Sequence, residues 1–206
     1  ISQELTSLLT KEAEDIFEEL APTQDEIDQK NELIEELSTL CKMVFNGSDV
    51  HPYGSSASNL GCKGCDIDMC IKLEHDIQSD PNLQMQLLTL IQKAIVSEPA
   101  YSHLKTNEQP VTRSRVPILQ IKDIQRGFEC DICIGSYLGV VNTKMLRIYS
   151  EIDPRVRPLI YVVKNWAKFR HINDPPSGSL SSYSYVLMVI QYLQTLEKPI
   201  LPSLQA

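Results

Sequence analysis

The chain is 206 residues long, 42% hydrophobic and 22% charged, with a formal net charge of −8. That length allows one large domain or two small ones. The acidity excludes a surface that coats nucleic acid indiscriminately and leaves room for a local basic patch, and no apolar run approaches the roughly 20 residues a bilayer requires.

Apolar residues at Ile1, Leu5, Leu8, Leu9, Ala13, Ile16, Phe17 and Leu20 follow helical spacing over Ile1–Leu20, which Ala21-Pro22 ends. Thr23 caps a second expected helix reaching about Phe45, with Ile27, Ile34, Leu37, Cys41 and Val44 on one face, and Asn46-Gly47 is a stop and turn. The middle changes character. Val50–Tyr53 is a short strand candidate leading into Gly54-Ser55-Ser56, and Asp66–Leu73 alternates polar and apolar as a strand does. Asn82–Val96 has a helical stripe through Leu83, Leu87, Leu90, Ile91 and Ala94. Pro117–Ile121 and Phe128–Ile134 are further strands, and Thr106–Arg115 is polar and turn-rich. From Asn142 the chain is helical: Thr143–Ile152, then a helix from Asp153-Pro154 to about Arg170 whose regular part Pro158 delays. Asn173-Asp174-Pro175-Pro176 ends it, and Leu180, Tyr183, Val186, Leu187, Ile190 and Leu193 mark a last amphipathic helix. The order is helices, a mixed α/β block, then helices.

Six cysteines include two C-x-x-C pairs, Cys62/Cys65 and Cys130/Cys133. Cys130 and Cys133 lie in a predicted strand, where residues three apart face opposite ways, so they do not suit one zinc ion. Reduced thiols in a cytoplasmic or nuclear protein are the expectation, and Ile1–Lys11 lacks the basic start and apolar core of a signal peptide. His51, His75, His103 and His171 are scattered singly and are read as surface or packing residues; Arg113 and Arg115 could meet RNA phosphates, although a solvated loop is the simpler reading.

The chemistry concentrates in Gly54-Ser55, ten intervening residues, then Asp66-Ile67-Asp68. Two carboxylates two apart on a strand share a face, and they repel unless a cation lies between them. Their oxygens suit Mg²⁺ (or Mn²⁺), which takes a few carboxylates together with substrate phosphates. Asp131 sits between Cys130 and Ile132 in another strand, and pairing with Asp66 and Asp68 would account for an acid in so apolar a run. Three such carboxylates can hold two ions about 4 Å apart for an in-line displacement. Gly54 allows close backbone approach to a phosphate, and the Ser55 hydroxyl can donate to it. Lys164 and Lys168, four apart, share a helix face, where an anion would relieve their repulsion.

This G-S-x₁₀-D-x-D pattern with a later strand Asp resembles the DNA polymerase β-like nucleotidyltransferases. Val140-Val141-Asn142-Thr143, Arg155-Val156-Arg157-Pro158-Leu159, Val163–Lys168, Ile172-Asn173-Asp174 and Gly178–Ser184 narrow the resemblance to the Cid-type RNA terminal nucleotidyltransferases, which include poly(A) polymerases and terminal uridylyltransferases. It runs from about Phe45 to Gln205. It implies an α+β fold: a polymerase β-like catalytic domain on a small mixed sheet (residues 26–141), with residues 1–25 and 142–206 forming an N-terminal helix and the first part of a helical central domain, and the nucleotide in the cleft between the two. It implies that Asp66, Asp68 and Asp131 are catalytic metal ligands and that Gly54 and Ser55 hold the triphosphate. Asn142 and Thr143 would contact the ribose, Lys164 and Lys168 the β- and γ-phosphates, and Ser182 a phosphate, while Tyr183 would stack on the base. Cys65 stands where many members have Ser, and Ser136 where a ribose-contacting Asn is common. Members continue past the helix ending near Leu196 with a segment that reads the base edge and includes a histidine associated with uridine preference. The implied activity is untemplated addition of UMP, or else AMP, to an RNA 3′ hydroxyl. The implied partners are an RNA 3′ end, UTP or ATP, and a protein supplying RNA specificity, with no membrane. The competing readings are a transferase with a small-molecule or protein acceptor, and an inactive scaffold that binds RNA or protein.

Overall fold

The computed structural model describes residues 2–73, 80–111 and 116–205; His75, Arg113 and Arg115 lie outside the described residues. Among these residues the helices are α1 (Gln3–Leu20), α2 (Gln24–Val44), α3 (Gly54–Ala57), α4 (Pro81–Ser97), α5 (Tyr137–Ile152), α6 (Val156–Phe169) and α7 (Ser182–Thr195). The strands are β1 (Asp49–Tyr53), β2 (Ile67–Lys72), β3 (Leu104–Thr106), β4 (Ile118–Asp123) and β5 (Glu129–Ile134). No helix among them is long and apolar enough to cross a membrane. The chain divides into two compact units, Pro22–Lys144 and Ile1–Ala21 with Met145–Ala206, where the sequence suggested divisions at 25/26 and 141/142.

The first unit is built on a five-stranded sheet of order β1-β2-β5-β4-β3. β2 and β5 run parallel; the other neighbours are antiparallel. Period-2 alternation decides the two faces. Ile67, Met69 and Ile71 of β2, Cys130, Ile132 and Ile134 of β5, and Leu119 and Ile121 of β4 all enter one core with Leu33, Leu37, Leu40 and Cys41 of α2 and Leu88, Ile91 and Ile95 of α4. The opposite face, with Asp68, Cys70, Asp131 and Cys133, is left for chemistry. Cys130 and Cys133 therefore enter different clusters, the latter with Cys70 and Val140, and all six cysteines are free.

Several elements depart from the sequence reading. The buried row of α2 is Lys30, Leu33, Leu37, Leu40 and Cys41, while Ile27 is exposed. Lys30 can be buried because its Nζ meets Glu26 at 2.7 Å and donates to the Cys65 carbonyl at 2.7 Å. α4, capped by Asp80 with Pro81 at its start, buries Gln84, Leu88, Ile91 and Ile95 and exposes Leu90. The Gln84 amide there donates to the Ile134 carbonyl at 3.1 Å, which satisfies it inside the core. β3 is new: three residues are too few to show alternation, and pairing with β4, which ends two residues later than expected, creates the strand. α5 begins at Tyr137 rather than Thr143, so Asn142 and Thr143 lie within it. Gly139 weakens the helical signal there, yet a Cβ at that position would press on the Tyr53 ring at 3.1 Å. Asp123 is fully buried at the β4–β5 turn and accepts from the Gln125 and Arg126 N–H groups and the Arg126 guanidinium. Burial pushes its carboxyl up, but these donors outweigh it and hold the pKa below the usual value.

The second unit packs α1 and α7 against α6. Phe17 meets Tyr161 edge-on at 5.0 Å, and the Arg157 guanidinium lies 4.9 Å from the Phe17 ring. The first half of the α1 stripe stays outside: Leu5, Leu8 and Leu9 are exposed, and Ile16, Phe17 and Leu20 are half-buried. α7, capped by Ser181, buries Tyr185, Val186, Val189, Ile190 and Leu193; Leu180 and Tyr183 of the expected stripe are exposed. The buried Tyr149 hydroxyl donates to Gln205 and accepts from Gln194 and the Leu204 N–H, tying residues 204 and 205 to α5 and α7. The three described histidines include a packed His51 beside Tyr137, a His103 whose Nε2 is 3.0 Å from Glu36, and an exposed His171 with φ +56°.

Candidate active site

Register brings the two strand carboxylates together. Asp68 is the direct partner of Asp131 across the parallel β2–β5 pair, so both side chains leave the same face of adjacent strands. Asp66 lies one residue before β2 rather than on it and is exposed. Burial, then the Asp131 charge, then the Asp66 charge push the Asp68 carboxyl up from 3.8 to about 7. Among the described residues no three His, Cys, Asp or Glu side chains already form a group arranged to hold an ion. Like-charged oxygens turn to other partners: Asp131 Oδ1 accepts from Gln120 Nε2 at 3.3 Å.

Gly54 closes the site on the β1 side. It has φ +77°, a conformation L side chains avoid, and a Cβ there would stand 2.1 Å from Asp68 Oδ2. Gly54 and Ser55 open the single turn α3 directly after β1. The Gly54 N–H donates to Thr143 Oγ1 at 2.9 Å, and the Thr143 hydroxyl in turn donates to the Gly139 carbonyl at 2.8 Å. Thr143 is 7% exposed, so its hydroxyl is occupied in holding the glycine turn. Asn142, its neighbour on α5, is half-buried.

The turn before Asp66 is fixed from α2. The Gly64 N–H donates to Glu26 Oε1 at 2.9 Å, Lys30 donates to the Cys65 carbonyl, and Lys30 Nζ lies 3.4 Å from Cys65 Sγ. Lys30 had a readable signal, a lysine within an apolar helix row, but was not singled out; Gln120 and Asn107 carried none. Four expected site residues belong to the second unit. Lys164 is half-buried with Nζ 5.6 Å from the Tyr161 ring centre, and Lys168 is exposed in the last turn of α6. Ser182 exchanges hydrogen bonds with the Asn173 amide at 2.8 and 3.2 Å, and Tyr183 is 41% exposed at the start of α7.

Comparison with known proteins agrees with this architecture. The family model for the central palm domain of mitochondrial-like poly(A) RNA polymerases matches residues 9–151. The poly(A) RNA polymerase GLD2-B of Xenopus laevis is 37% identical over 198 residues, 96% of this chain and 38% of that protein. The poly(A) RNA polymerase cid11 of Schizosaccharomyces pombe is 32% identical over 207 residues, 99% of this chain and 41% of that one. The chain thus spans about two fifths of the length of these curated relatives. Among solved structures, GLD-2 in complex with RNP-8 superposes with a TM-score of 0.87 at 31% identity, covering 97% of this chain and 60% of that one. The Cid1 poly(U) polymerase with MgGTP bound superposes with a TM-score of 0.81 at 29% identity, covering 94% and 58%. With the family model covering most of its length, the chain belongs to the family of the mitochondrial-like poly(A) RNA polymerase central palm domain.

Proposed function

We propose that the protein of which this chain forms the catalytic part adds nucleotides to RNA 3′ ends without a template. The RNA 3′ oxygen would bond to the α-phosphorus of a nucleoside triphosphate as the bond to the β-phosphate oxygen breaks and pyrophosphate leaves. The observation that carries the reading is the registered Asp68–Asp131 pair against the Gly54 turn, with Asp68 pushed to about 7. A carboxylate so poorly compensated by protein donors suits a cation as partner. Asp66, Asp68 and Asp131 would hold Mg²⁺ or Mn²⁺, which when bound neutralises phosphate charge and makes the attacking hydroxyl more acidic.

The chain's own groups do the rest. An Asp131 carboxylate oxygen is assigned the proton of the 3′ hydroxyl. Gly54 and the Ser55 hydroxyl meet the triphosphate, with Thr143 holding their turn in place of the ribose contact expected of it. Asn142 is assigned to the ribose, Lys164, Lys168 and Ser182 to phosphates, and Tyr183 to stacking on the base, a role its exposure supports. Asp66, Asp68 and Asp131 belong to the unit Pro22–Lys144, and Lys164, Lys168, Ser182 and Tyr183 to the helical unit. AMP is the favoured addition over the UMP expected from sequence, supported by the likeness to the poly(A) polymerases. A protein partner is supported by the likeness to GLD-2 in complex with RNP-8, and a reducing compartment by the free cysteines.

The test supplies an RNA oligonucleotide, Mg²⁺ and each triphosphate in turn to the full-length protein. Stepwise extension of the RNA with ATP, lost in Asp66→Ala while the fold persists, is expected. Extension by the Ala variant at the parent rate would end the reading, and label passing to a protein or small molecule instead of RNA would favour the other transferase class.

A further inference from the structure

A second feature of the same sheet face lies on the far side of Asp131. A polar groove of about 280 Å³ opens along β3 and β4 and reaches Asp131 itself. Sheet order places Gly54 beyond β1, Asp68 on β2, Asp131 on β5, Gln120 on β4 and Asn107 just past β3. Asp131 therefore stands between the glycine turn and the groove, and an in-line displacement needs its entering and leaving oxygens on opposite sides of the phosphorus.

The groove sets Lys105 and Lys122 beside the amides of Asn107 and Gln120 and the carboxylates of Glu129 and Asp131. Lys105 and Lys122 are direct partners across β3 and β4, a like-charged pairing that a nearby anion relieves. Lys122 is tied to Glu129 at 3.0 Å, and Lys105 reaches the Ser102 carbonyl at 3.4 Å. Gln120, two residues from Lys122, shares its face. Asn107 Nδ2 donates to Gln120 Oε1 at 2.6 Å, which turns Gln120 Nε2 toward Asp131. The amide thus has one orientation, and it positions the carboxylate assigned to the attacking hydroxyl.

We infer that this groove seats the last nucleotides of the acceptor RNA, with Lys105 and Lys122 on backbone phosphates and Gln120 positioning Asp131. The inference rests on the nucleotidyl-transfer reading. In the full-length protein, RNA carrying 4-thiouridine at its second-last position should crosslink within residues 104–107 or 118–122. Lys105→Gln, which spares the Lys122–Glu129 pair, should raise the KM for RNA by roughly tenfold and lower the salt slope of RNA binding by about one. The KM for the triphosphate should not move, and Lys42→Gln, an equal loss of charge on α2, should leave both constants at wild-type values. Gln120→Leu should lower kcat by about tenfold while the triphosphate KM holds. RNA extension with crosslinks elsewhere and an unchanged RNA KM in Lys105→Gln overturns the groove and spares the reaction. If no triphosphate extends any RNA, the reaction falls and the acceptor groove falls with it.

Discussion

Replacing Asp68 by Asn should stabilise the metal-free protein at neutral pH and abolish its response to magnesium. Burial and two neighbouring carboxylates raise Asp68 from 3.8 to about 7, so between those values the native state keeps a proton that the unfolded chain has released. By linkage, stability then falls as pH climbs from about 4 to 7 and stays low above that. The gap corresponds to at most roughly 4 kcal/mol. Asn has nearly the same shape and no charge, so in a chelator at pH 8 the variant should be the more stable by up to about that amount. At pH 4 the two proteins should differ little. Urea denaturation at both pH values, with EDTA and then with Mg²⁺, separates the cases: the ion should rescue wild type and leave Asp68→Asn unmoved. A variant no more stable than wild type at pH 8 in EDTA would show that these carboxylates are already compensated, and the electrostatic case for a cation would collapse.

Three further substitutions probe the scaffold of the site. Gly54→Ala combines a left-handed φ with a Cβ 2.1 Å from Asp68 Oδ2 and should cost about 1–3 kcal/mol from backbone strain alone, read as a lower urea midpoint together with lost RNA extension. Thr143→Val leaves the Gly54 N–H without its acceptor and should destabilise by about 1–3 kcal/mol, whereas Thr143→Ser should restore most of it; equal losses in both would deny the hydroxyl its role. Lys30→Met strands Glu26 and the Cys65 carbonyl and should cost about 3 kcal/mol in thermal or urea unfolding. The double variant with Glu26→Gln should recover part of that loss if the ion pair is what holds the turn.

Local pattern was enough for much of this protein. Alternation in Asp66–Leu73 and Phe128–Ile134 revealed β2 and β5 within a residue or so, because each buries one face against helices and a period of two follows. Thr23 announced the start of α2 because capping is a contact between near neighbours. The same alternation foretold that Cys130 and Cys133 would part to opposite sides of the sheet. The spacing of Gly54-Ser55 from Asp66 and Asp68 was visible as a motif, and the resemblance it supported led to the right family.

What the tertiary structure decided was register and rotation. Which residue of β5 faces Asp68 depends on a pairing 63 positions away in the chain, and no local signal carries it. The rotation of α2 and α4 was set by Lys30 and Gln84, whose polar groups found distant backbone carbonyls and could therefore be buried. β3 exists only because β4 lies beside it. The Asn107–Gln120–Asp131 chain joins three strand neighbours that are scattered in sequence. Side chains of ordinary type acquire such roles through long-range packing, which is why the motif could be read from the sequence while its supports could not.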